Sequence, residues 1–245
     1  MERSRDRLVI GADELEAVAR CPHALNFLDR IGHARACPAC DAVAAAGRYL
    51  LKQVARDLRR PPTVGAVRRE YRKARRSRRL DAAEEAREAA VVAALFDWSR
   101  EVAERVNLVD VLAETHLGAW TVRGRIDAVL HGAGNDFSVV KFCCGRDHGE
   151  EVMNYEVLAA RLWLREEYEV DADSLLLVAP AGAAVRVQCF EQPIPASFLR
   201  ASLIHILSGV GPGSPSDPDW PSELPPVYGE HCWSCNACFQ QGARE

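Results

Sequence analysis

The sequence lacks any run of about 18 consecutive apolar residues, the length that an α-helix needs to cross a lipid bilayer. A membrane-spanning helix is therefore not expected. The first residues, Met1 to Leu8, are mostly charged and contain no apolar core of the kind that directs export. We accordingly expect a cytoplasmic protein, in which the cysteines serve some purpose other than a disulfide framework.

Two common kinds of catalytic motif are also missing. The sequence has no glycine-rich loop that would cradle a phosphate, and no serine, histidine and aspartate arrangement for nucleophilic catalysis. Its 7 histidines show no paired spacing, so each is expected to be a surface or core residue rather than a metal ligand. Internal repeats are absent as well. A chain of 245 residues, 48% of them hydrophobic, is typical of a single domain over 1–245.

Positive charge is concentrated in one part of a chain that is acidic overall. The formal net charge is −4, yet residues 48–80 carry 13 lysines and arginines against 2 acidic residues. This local excess indicates contact with a polyanion such as nucleic acid, and a solvated helix face is the simpler alternative. The residues that we expect to contact nucleic acid lie on a predicted basic helix: Arg68, Arg69, Arg72, Lys73, Arg75, Arg76 and Arg79.

The order of the predicted elements is typical of an α/β protein. Helices are predicted from residue 13 to a break at Pro22, and at 41–60, 64–79, 82–106, 150–168 and 196–207. Strands rich in β-branched residues are predicted at 108–113, 119–130, 137–142, 174–178 and 185–190. We interpret 41–107 as a helical insertion with the basic helix, 210–228 as a proline-rich arm, and 229–245 as a C-terminal cysteine segment.

Three of the 9 cysteines fall close together near the C-terminus. Cys232, Cys235 and Cys238 form a C-x2-C-x2-C pattern, which recurs in iron–sulfur proteins because such spacing lets thiolates converge on one metal centre. A four-thiolate site needs one more ligand. Cys21, at the predicted helix break, is the leading candidate, and the resulting site would join the two ends of the chain.

A second pair of cysteines offers an alternative. Cys37 and Cys40 form a Cys-Pro-Ala-Cys sequence and would make a four-cysteine zinc site with two of the C-terminal thiols. The adjacent Cys143 and Cys144 are expected to be small buried residues, with a redox pair as the alternative. The sequence therefore predicts a metal site at the C-terminus and leaves open whether it holds iron–sulfur or zinc.

An acid and a lysine fall on two neighbouring predicted strands. Alternation along the strand 121–130 puts Asp127 on one face with Arg123 and Arg125. Lys141 lies on the next strand, on the same face as Val139. Such an acid and lysine can meet in a cleft, where the acid holds Mg²⁺ or Mn²⁺ and the lysine assists the attacking water or stabilises developing phosphate charge.

These motifs resemble a known family. Gly-Arg-Ile-Asp127, a turn, then Val-Val-Lys141 and a following helix resemble the PD-(D/E)XK nucleases of the RecB-like class. The opening segment, which ends in Cys21-Pro22, looks like the first cysteine segment of the iron–sulfur members, among them the AddB nuclease domain and the CRISPR-associated RecB-like exonucleases. The resemblance spans roughly residues 8 to 238, and it implies a restriction-endonuclease-like α/β core with a helical insertion and a C-terminal cysteine cluster.

The resemblance also implies roles for particular residues. Asp127 would bind the metal, Lys141 would be the motif lysine, and Glu114 would be the acid on the preceding strand. The [4Fe–4S] ligands would be Cys21, Cys232, Cys235 and Cys238. The implied partner is DNA, either single-stranded or a duplex end, and the protein could belong to a larger assembly.

Several positions depart from the family pattern. The acid expected two residues before the lysine is replaced by Val139, which cannot ligate a hard cation. The histidine expected early in the helix after Gly47 is missing, since residues 48–52 contain none. The glutamine and tyrosine expected on the helix after the lysine correspond to Glu156 and Ala160. We therefore predict a degenerate nuclease fold that binds DNA, is impaired or inactive in cleavage, and carries a structural iron–sulfur cluster.

Two alternatives remain open at this point. In the first, Glu156 replaces the missing acid from the helix, and the protein is an active exonuclease that uses Mg²⁺ or Mn²⁺. In the second, the protein is an interaction subunit held together by zinc, and its basic helix binds an acidic partner.

Overall fold

The computed structural model describes residues 8–12, 14–20, 37–57, 62–75, 81–132, 136–144, 155–191 and 194–208. Its strands are β1 (Leu8–Gly11), β2 (Val106–Leu117), β3 (Trp120–His131), β4 (Phe137–Phe142), β5 (Ala172–Ala181) and β6 (Ala184–Glu191). Its helices are α1 (Leu15–Arg20), α2 (Pro38–Arg56), α3 (Val64–Arg75), α4 (Ala82–Glu101), α5 (Tyr155–Tyr168) and α6 (Leu199–Ser208). Short 3₁₀ helices precede β2 and α6, at Ala103–Arg105 and Ala196–Phe198.

The strands form one mixed sheet that is organised around β3. Strand β2 pairs antiparallel with β3 along almost its whole length and so takes one edge of it. The other edge is shared by β1, which pairs parallel with residues 120–123, and by β4, which pairs antiparallel with residues 128–131. Beyond β4 the sheet continues with a parallel β5 and an antiparallel β6. The mixed α/β class predicted from the sequence is confirmed.

Helices cover both faces of the sheet. On one face, α2, α3 and α4 bury a cluster of side chains against β3, β4 and β5, and Leu50, Leu95 and Leu130 are fully enclosed in it. On the other face, α1, α5 and α6 pack against β1 and the first half of β3, with α5 extending over β4 and β5. The predicted helical segment 41–107 thus supplies one complete layer of the fold.

The boundaries of several elements differ from those that the sequence predicts. Periodicity gives no indication of strand β1, because only four residues are involved and they run directly into α1. Helix α4 ends at Glu101 rather than at Val106, which begins β2, since a 3₁₀ turn intervenes. Within the described ranges, no helix is both long and apolar enough to cross a membrane.

A glycine lets α2 approach the sheet closely. A Cβ atom on Gly47 would overlap the ring of Phe142 on β4. That ring is itself held edge-on against Trp98 of α4, with the ring centroids 5.7 Å apart. The absence of a side chain at Gly47 therefore fixes how near α2 lies to β4, and it brings the next residue, Arg48, to the strand.

We expect Gly47→Ala to destabilise the protein by about 1–3 kcal/mol, because the added methyl group forces the packed Phe142 ring to move. Gly65 of α3 is a matched control, since a Cβ there meets no atom within 4 Å. Gly65→Ala should be neutral or stabilising by up to about 1 kcal/mol, because alanine favours a helix over glycine. Urea unfolding of the two variants tests this, and an equal effect of both would contradict the packing argument.

Candidate functional site

A gap between two strands creates the candidate site. Strands β1 and β4 pair with the two ends of the same edge of β3, and on that edge no described strand pairs with the stretch 124–127 between them, although β2 pairs with it on the opposite edge. The β3–β4 ladder ends at the pair Ala128 and Val140. Asp127 lies immediately past that pair, where the two strands begin to diverge.

The Asp127 carboxylate is almost fully buried and has two partners. One oxygen accepts a hydrogen bond from the backbone N–H of Phe142 at 3.0 Å, so the side chain continues the ladder across the gap. The other oxygen accepts a hydrogen bond from the guanidinium of Arg48, with which it forms an ion pair. Asp127 therefore links β3 to both β4 and α2.

A second acid lies opposite Asp127 on β2. The β2–β3 pairs run from Val109–Ala128 to Val111–Ile126, and Asp110 between them has a left-handed backbone with φ of 59°. Aspartate tolerates this conformation better than most residues, and such positions persist where the surroundings over-determine them.

Three cations hold Asp110 in this position. Its carboxylate oxygens lie 2.5 Å from Lys52 Nζ and 2.5 Å from Arg125 Nε. Arg48 Nε lies 3.4 Å from the Asp110 carboxylate, so this arginine bridges the two acids.

The side chains of β3 do not alternate along the whole strand in the way that the sequence predicts. Strict alternation predicts that Ile126 and Ala128 share a face. Instead, Ile126 packs with α5, whereas Ala128 packs with the layer of α2, α3 and α4. The change of face occurs across Asp127, which sequence periodicity has no means of detecting.

Lys141 and Val139 border the same site. Together with Arg125 and Asp127 they line a cleft of about 20 Å³ between β3, β4 and α5, which is room for about one water molecule. Val139 is buried and packs in the apolar cluster beneath α5, so the position where the family carries an acid is part of the core. The sequence correctly predicts Asp127 and Lys141 as neighbours on adjacent strands, and it does not identify their cationic partners.

The residues of this centre do not fit a divalent metal ion. The ion pairs among the described residues of the centre join three cationic side chains (Arg48, Lys52 and Arg125) to two carboxylates (Asp110 and Asp127). A hard cation needs several oxygen ligands and is repelled by neighbouring positive charge. Here both carboxylates already serve as acceptors for cationic side chains. The excess of positive charge is suited to an anion such as a phosphate group instead.

Of the other two predicted catalytic acids, Glu114 lies apart from this pairing, and the side chain of Glu156 is not among those described. Glu114 is largely exposed on β2, and its carboxylate lies 2.6 Å from Arg123 Nε and 3.7 Å from His116 Nε2. It belongs to a surface ion pair of the strand. Glu156 is in the first turn of α5, and its side chain lies outside the described residues.

The basic helix α3 has two different faces. One face pairs with glutamates of α4: Arg72 Nε lies 2.7 Å from Glu88, and Arg75 lies 2.6 Å from Glu84. Arg68 forms a longer ion pair with Glu88, at 3.6 Å, and the Glu88 side chain is fully buried. These three arginines neutralise acids at the helix interface, as burial of a carboxylate requires.

The other face of α3 points to solvent. Arg69 and Lys73 are exposed, and in the described part of the chain neither forms an ion pair. They lie four residues apart and therefore on the same side of the helix. Arg76 and Arg79, which are also predicted to bind nucleic acid, lie outside the described residues.

A cluster of three thiols lies beside this centre. Cys37 is the residue before α2, Cys40 is in its first turn, and Cys144 follows β4. The Sγ atom of Cys144 lies 3.1 Å from that of Cys40 and 3.6 Å from that of Cys37. All three sulfur atoms lie within 4.8 Å of one another, and such a group could hold a metal ion.

The thiols of this cluster are electrostatically inequivalent. Burial by itself would raise the pKa of Cys37, but hydrogen bonds from Cys40 and Cys144 outweigh it and lower the pKa below its usual value. Burial raises the pKa of Cys40, and the hydrogen bond with Cys144 raises it further. Cys37 therefore ionises before Cys40, and its thiolate is stabilised by its neighbours.

The predicted iron–sulfur ligands cannot be placed. Cys21, Cys232, Cys235 and Cys238 all lie outside the described residues, as do the proline-rich arm and the C-terminal segment. Cys143 is buried, as expected, whereas its neighbour Cys144 joins the thiol cluster. The sequence signal that points to part of this cluster is the Cys-Pro-Ala-Cys spacing. Nothing in the sequence singles out Cys144 as its partner.

The ion pairs of Asp110 predict a specific pH dependence. Burial would raise the pKa of its carboxyl, but the hydrogen bonds from Lys52 and Arg125 outweigh it, and the pKa lies below its ordinary value. A lowered folded-state pKa means that the charged carboxylate contributes stability at neutral pH, and that this contribution is lost as the pH falls through the folded pKa.

Asp110→Asn should therefore be less stable than the wild type at pH 7, and its free energy of unfolding should fall less between pH 5 and pH 2. Asp97→Asn, at an exposed position on α4, is the control and should parallel the wild type. Urea unfolding at a series of pH values measures the difference. Parallel curves for the wild type and Asp110→Asn would contradict the assignment of these ion pairs.

Comparisons with known proteins add little to this description. No family model and no curated protein matches the sequence. Among solved structures, the chain aligns with the crystal structure of SSO0001 over 86% of its own length and 77% of that chain, at 11% sequence identity and a TM-score of 0.37. A superposition this loose carries no argument about fold or function, so the interpretation of the site rests on its geometry.

Proposed function

We propose that this protein binds DNA through a PD-(D/E)XK-like core that does not cleave it. The observation that carries the proposal is the ion pair between Arg48 and Asp127. In the family that the sequence resembles, the acid at this position holds the metal ion, whereas here it holds a guanidinium from α2. The centre keeps an acid and a lysine on adjacent strands, and the position of the second motif acid is occupied by the buried Val139.

The arrangement of Asp127 and Lys141 supports the resemblance. The two residues lie on adjacent antiparallel strands at a point where the strands diverge, and both line one cleft beneath a following helix. This is the placement that the Gly-Arg-Ile-Asp and Val-Val-Lys motifs imply. From the first helix onwards, the order of helices, three antiparallel strands, a helix and two further strands follows the order that the sequence predicts.

The charges of the centre support the loss of cleavage. A guanidinium remains protonated at any physiological pH, so Arg48 stays on Asp127 unless another cation displaces it. A divalent ion would need to displace Arg48 and would then find no carboxylate at Val139 to complete its ligands. Both effects weaken metal binding, and they act at the same position.

The positive charges support a DNA-binding role. Lys52 and Arg125 remain partly exposed while they pair with Asp110, with side-chain exposures of 39% and 52%. Arg69 and Lys73 present two more cations from the outer face of α3. Cationic side chains of this kind bind phosphates and release the counterions that surround DNA, which gives affinity without sequence specificity.

The iron–sulfur cluster implied by Cys21, Cys232, Cys235 and Cys238 is part of the same proposal. It would join the two ends of the chain around the α/β core and have a structural role. The two alternative functions make different demands on the protein. An active nuclease requires a carboxylate from Glu156 at the cleft, and a zinc-held interaction subunit requires no affinity for DNA.

We expect no cleavage of labelled single-stranded or double-stranded DNA by the wild-type protein in the presence of Mg²⁺ or Mn²⁺. The reason is that Arg48 occupies Asp127, the motif acid that a metal at the cleft would need. The assay compares the wild type with Asp127→Ala and Lys141→Ala. Cleavage by the wild type that both substitutions abolish would overturn the proposal, and Glu156→Gln would then test the migrated acid.

We expect DNA binding that weakens steeply with salt and depends on the outer face of α3. In Arg69→Gln/Lys73→Gln the affinity should fall at low salt, because two phosphates are no longer neutralised. The slope of log K against log salt should decrease by about 2, roughly 1 for each of these phosphates. Fluorescence anisotropy with a labelled oligonucleotide measures both quantities.

The control for this experiment removes two exposed arginines elsewhere, in Arg165→Gln/Arg186→Gln, and should leave the slope unchanged. The arginines that pair with Glu84 and Glu88 are avoided, because replacing them would disturb the packing of α3 on α4. Equal slopes for the wild type and the α3 variant would exclude this face as the DNA-binding surface. Absence of any salt-dependent binding would favour the interaction subunit.

A further inference from the structure

We propose that Cys37, Cys40 and Cys144 bind a single zinc ion, at a site separate from the C-terminal cysteine cluster. The sequence links Cys37 and Cys40 only with the C-terminal thiols, whereas the fold supplies a different third ligand. This inference is independent of the proposed function, because it rests on sulfur geometry and not on the charges around Asp127.

The distances between the sulfur atoms match one tetrahedral ion. With Zn–S bonds of about 2.3 Å, two thiolates on a tetrahedral zinc lie about 3.8 Å apart. The observed Sγ–Sγ distances are 3.1 Å for Cys40 and Cys144 and 3.6 Å for Cys37 and Cys144, and no pair exceeds 4.8 Å. Small rotations of the side chains would bring all three thiolates to bonding distance of one ion.

The same distances argue against a [4Fe–4S] cluster at this site. In such a cluster each thiolate binds a different iron atom, so the cysteine sulfurs lie at separate corners of a larger body. Three sulfurs this close together leave no room for it. Thiolate ligands also disfavour hard cations such as Mg²⁺, and zinc is the tetrahedral ion that they commonly select.

The backbone prepares these thiols to act as ligands. Pro38 at the first position of α2 fixes the start of the helix, which places Cys37 and Cys40 three residues apart on its first turn. The positive end of the helix dipole favours thiolates there. In addition, the backbone N–H of Cys144 donates to the Sγ atom of Cys40 at 3.3 Å, a hydrogen bond of the kind that orients metal-bound thiolates.

The proposed ion would connect α2 to the end of β4. Cys144 lies two residues after Phe142, whose N–H group donates a hydrogen bond to Asp127. Cys37 and Cys40 lie at the start of the helix that carries Arg48. Zinc would therefore fix the helix against the strand at one end of the close approach that Gly47 makes possible. Three thiolates leave one tetrahedral position, which water or a donor outside the described residues would fill.

Cysteine alkylation of the full-length wild-type protein tests the site without a mutation. Zinc-loaded protein and protein treated with a chelator are each exposed to iodoacetamide, and the modified cysteines are identified by mass spectrometry. We expect Cys37, Cys40 and Cys144 to be protected by zinc and to react after chelation. Cys189 is exposed on β6 and should react equally in both samples.

Metal analysis of variants gives a second, independent test. Cys144→Ala should lose one equivalent of zinc per chain, whereas the matched variant Cys143→Ala, at the neighbouring buried cysteine, should retain it. In Cys232→Ser/Cys235→Ser/Cys238→Ser the same equivalent should remain, and it should give the intense thiolate–cobalt absorbance when Co²⁺ replaces zinc. Circular dichroism confirms that each variant is folded.

Three results would overturn the inference. One is equal alkylation of Cys37, Cys40 and Cys144 with and without the chelator. Another is an unchanged zinc content in folded Cys144→Ala. The third is complete loss of zinc from the folded C-terminal triple variant, which would show that Cys37 and Cys40 bind metal only together with the C-terminal thiols.

Discussion

The ion pair between Arg48 and Asp127 connects the elements that form the candidate site. Asp127 is a buried carboxylate on β3, and a buried charge is tolerated only when it is paired and hydrogen-bonded. Arg48 and the backbone of Phe142 provide those partners. Pairing of Asp127 therefore requires both helix α2 and strand β4 to lie beside it. Gly47 makes the approach of α2 possible, because any side chain there would strike Phe142.

The same interaction neutralises the acid at the strand gap from within the protein. The strand gap at residues 124–127 leaves an acid that needs a positive partner, and that partner can be a cation from solution or from the protein itself. In this chain Arg48 and Lys52 of α2, together with Arg125, supply the positive charge to Asp127 and Asp110. Neutralisation by fixed side chains stabilises the fold, and it leaves an excess of positive charge that favours phosphate over Mg²⁺.

The charged residues of the basic helix α3 lie on two faces with different surroundings. Arg68, Arg72 and Arg75 neutralise Glu84 and the buried Glu88 on α4, which holds the two helices together. The excess of basic residues in the sequence is therefore larger than the number of positive charges on α3 that a partner can contact. Arg69 and Lys73, on the outer face, are the described residues of α3 that remain available to a polyanion.

Local patterns in the sequence are enough to predict the α/β class, the order of nearly all the elements, and the placement of Asp127 and Lys141 on adjacent strands. Those features follow from local periodicity and turn residues, which act over a few neighbouring positions. The sequence also marked Val139 as a position that cannot hold a metal, because side-chain chemistry alone decides that. The four-residue strand β1 was too short to give a periodic signal.

Which side chains meet depends on the packing of elements that are distant in the sequence. Arg48 and Asp127 are 79 residues apart in the chain, and Cys40 and Cys144 are 104 apart. Both interactions depend on how α2 packs on β4, and that packing is set by the Phe142 ring and the space left at Gly47. The left-handed backbone at Asp110 and the change of face at Asp127 are likewise features that no local pattern encodes.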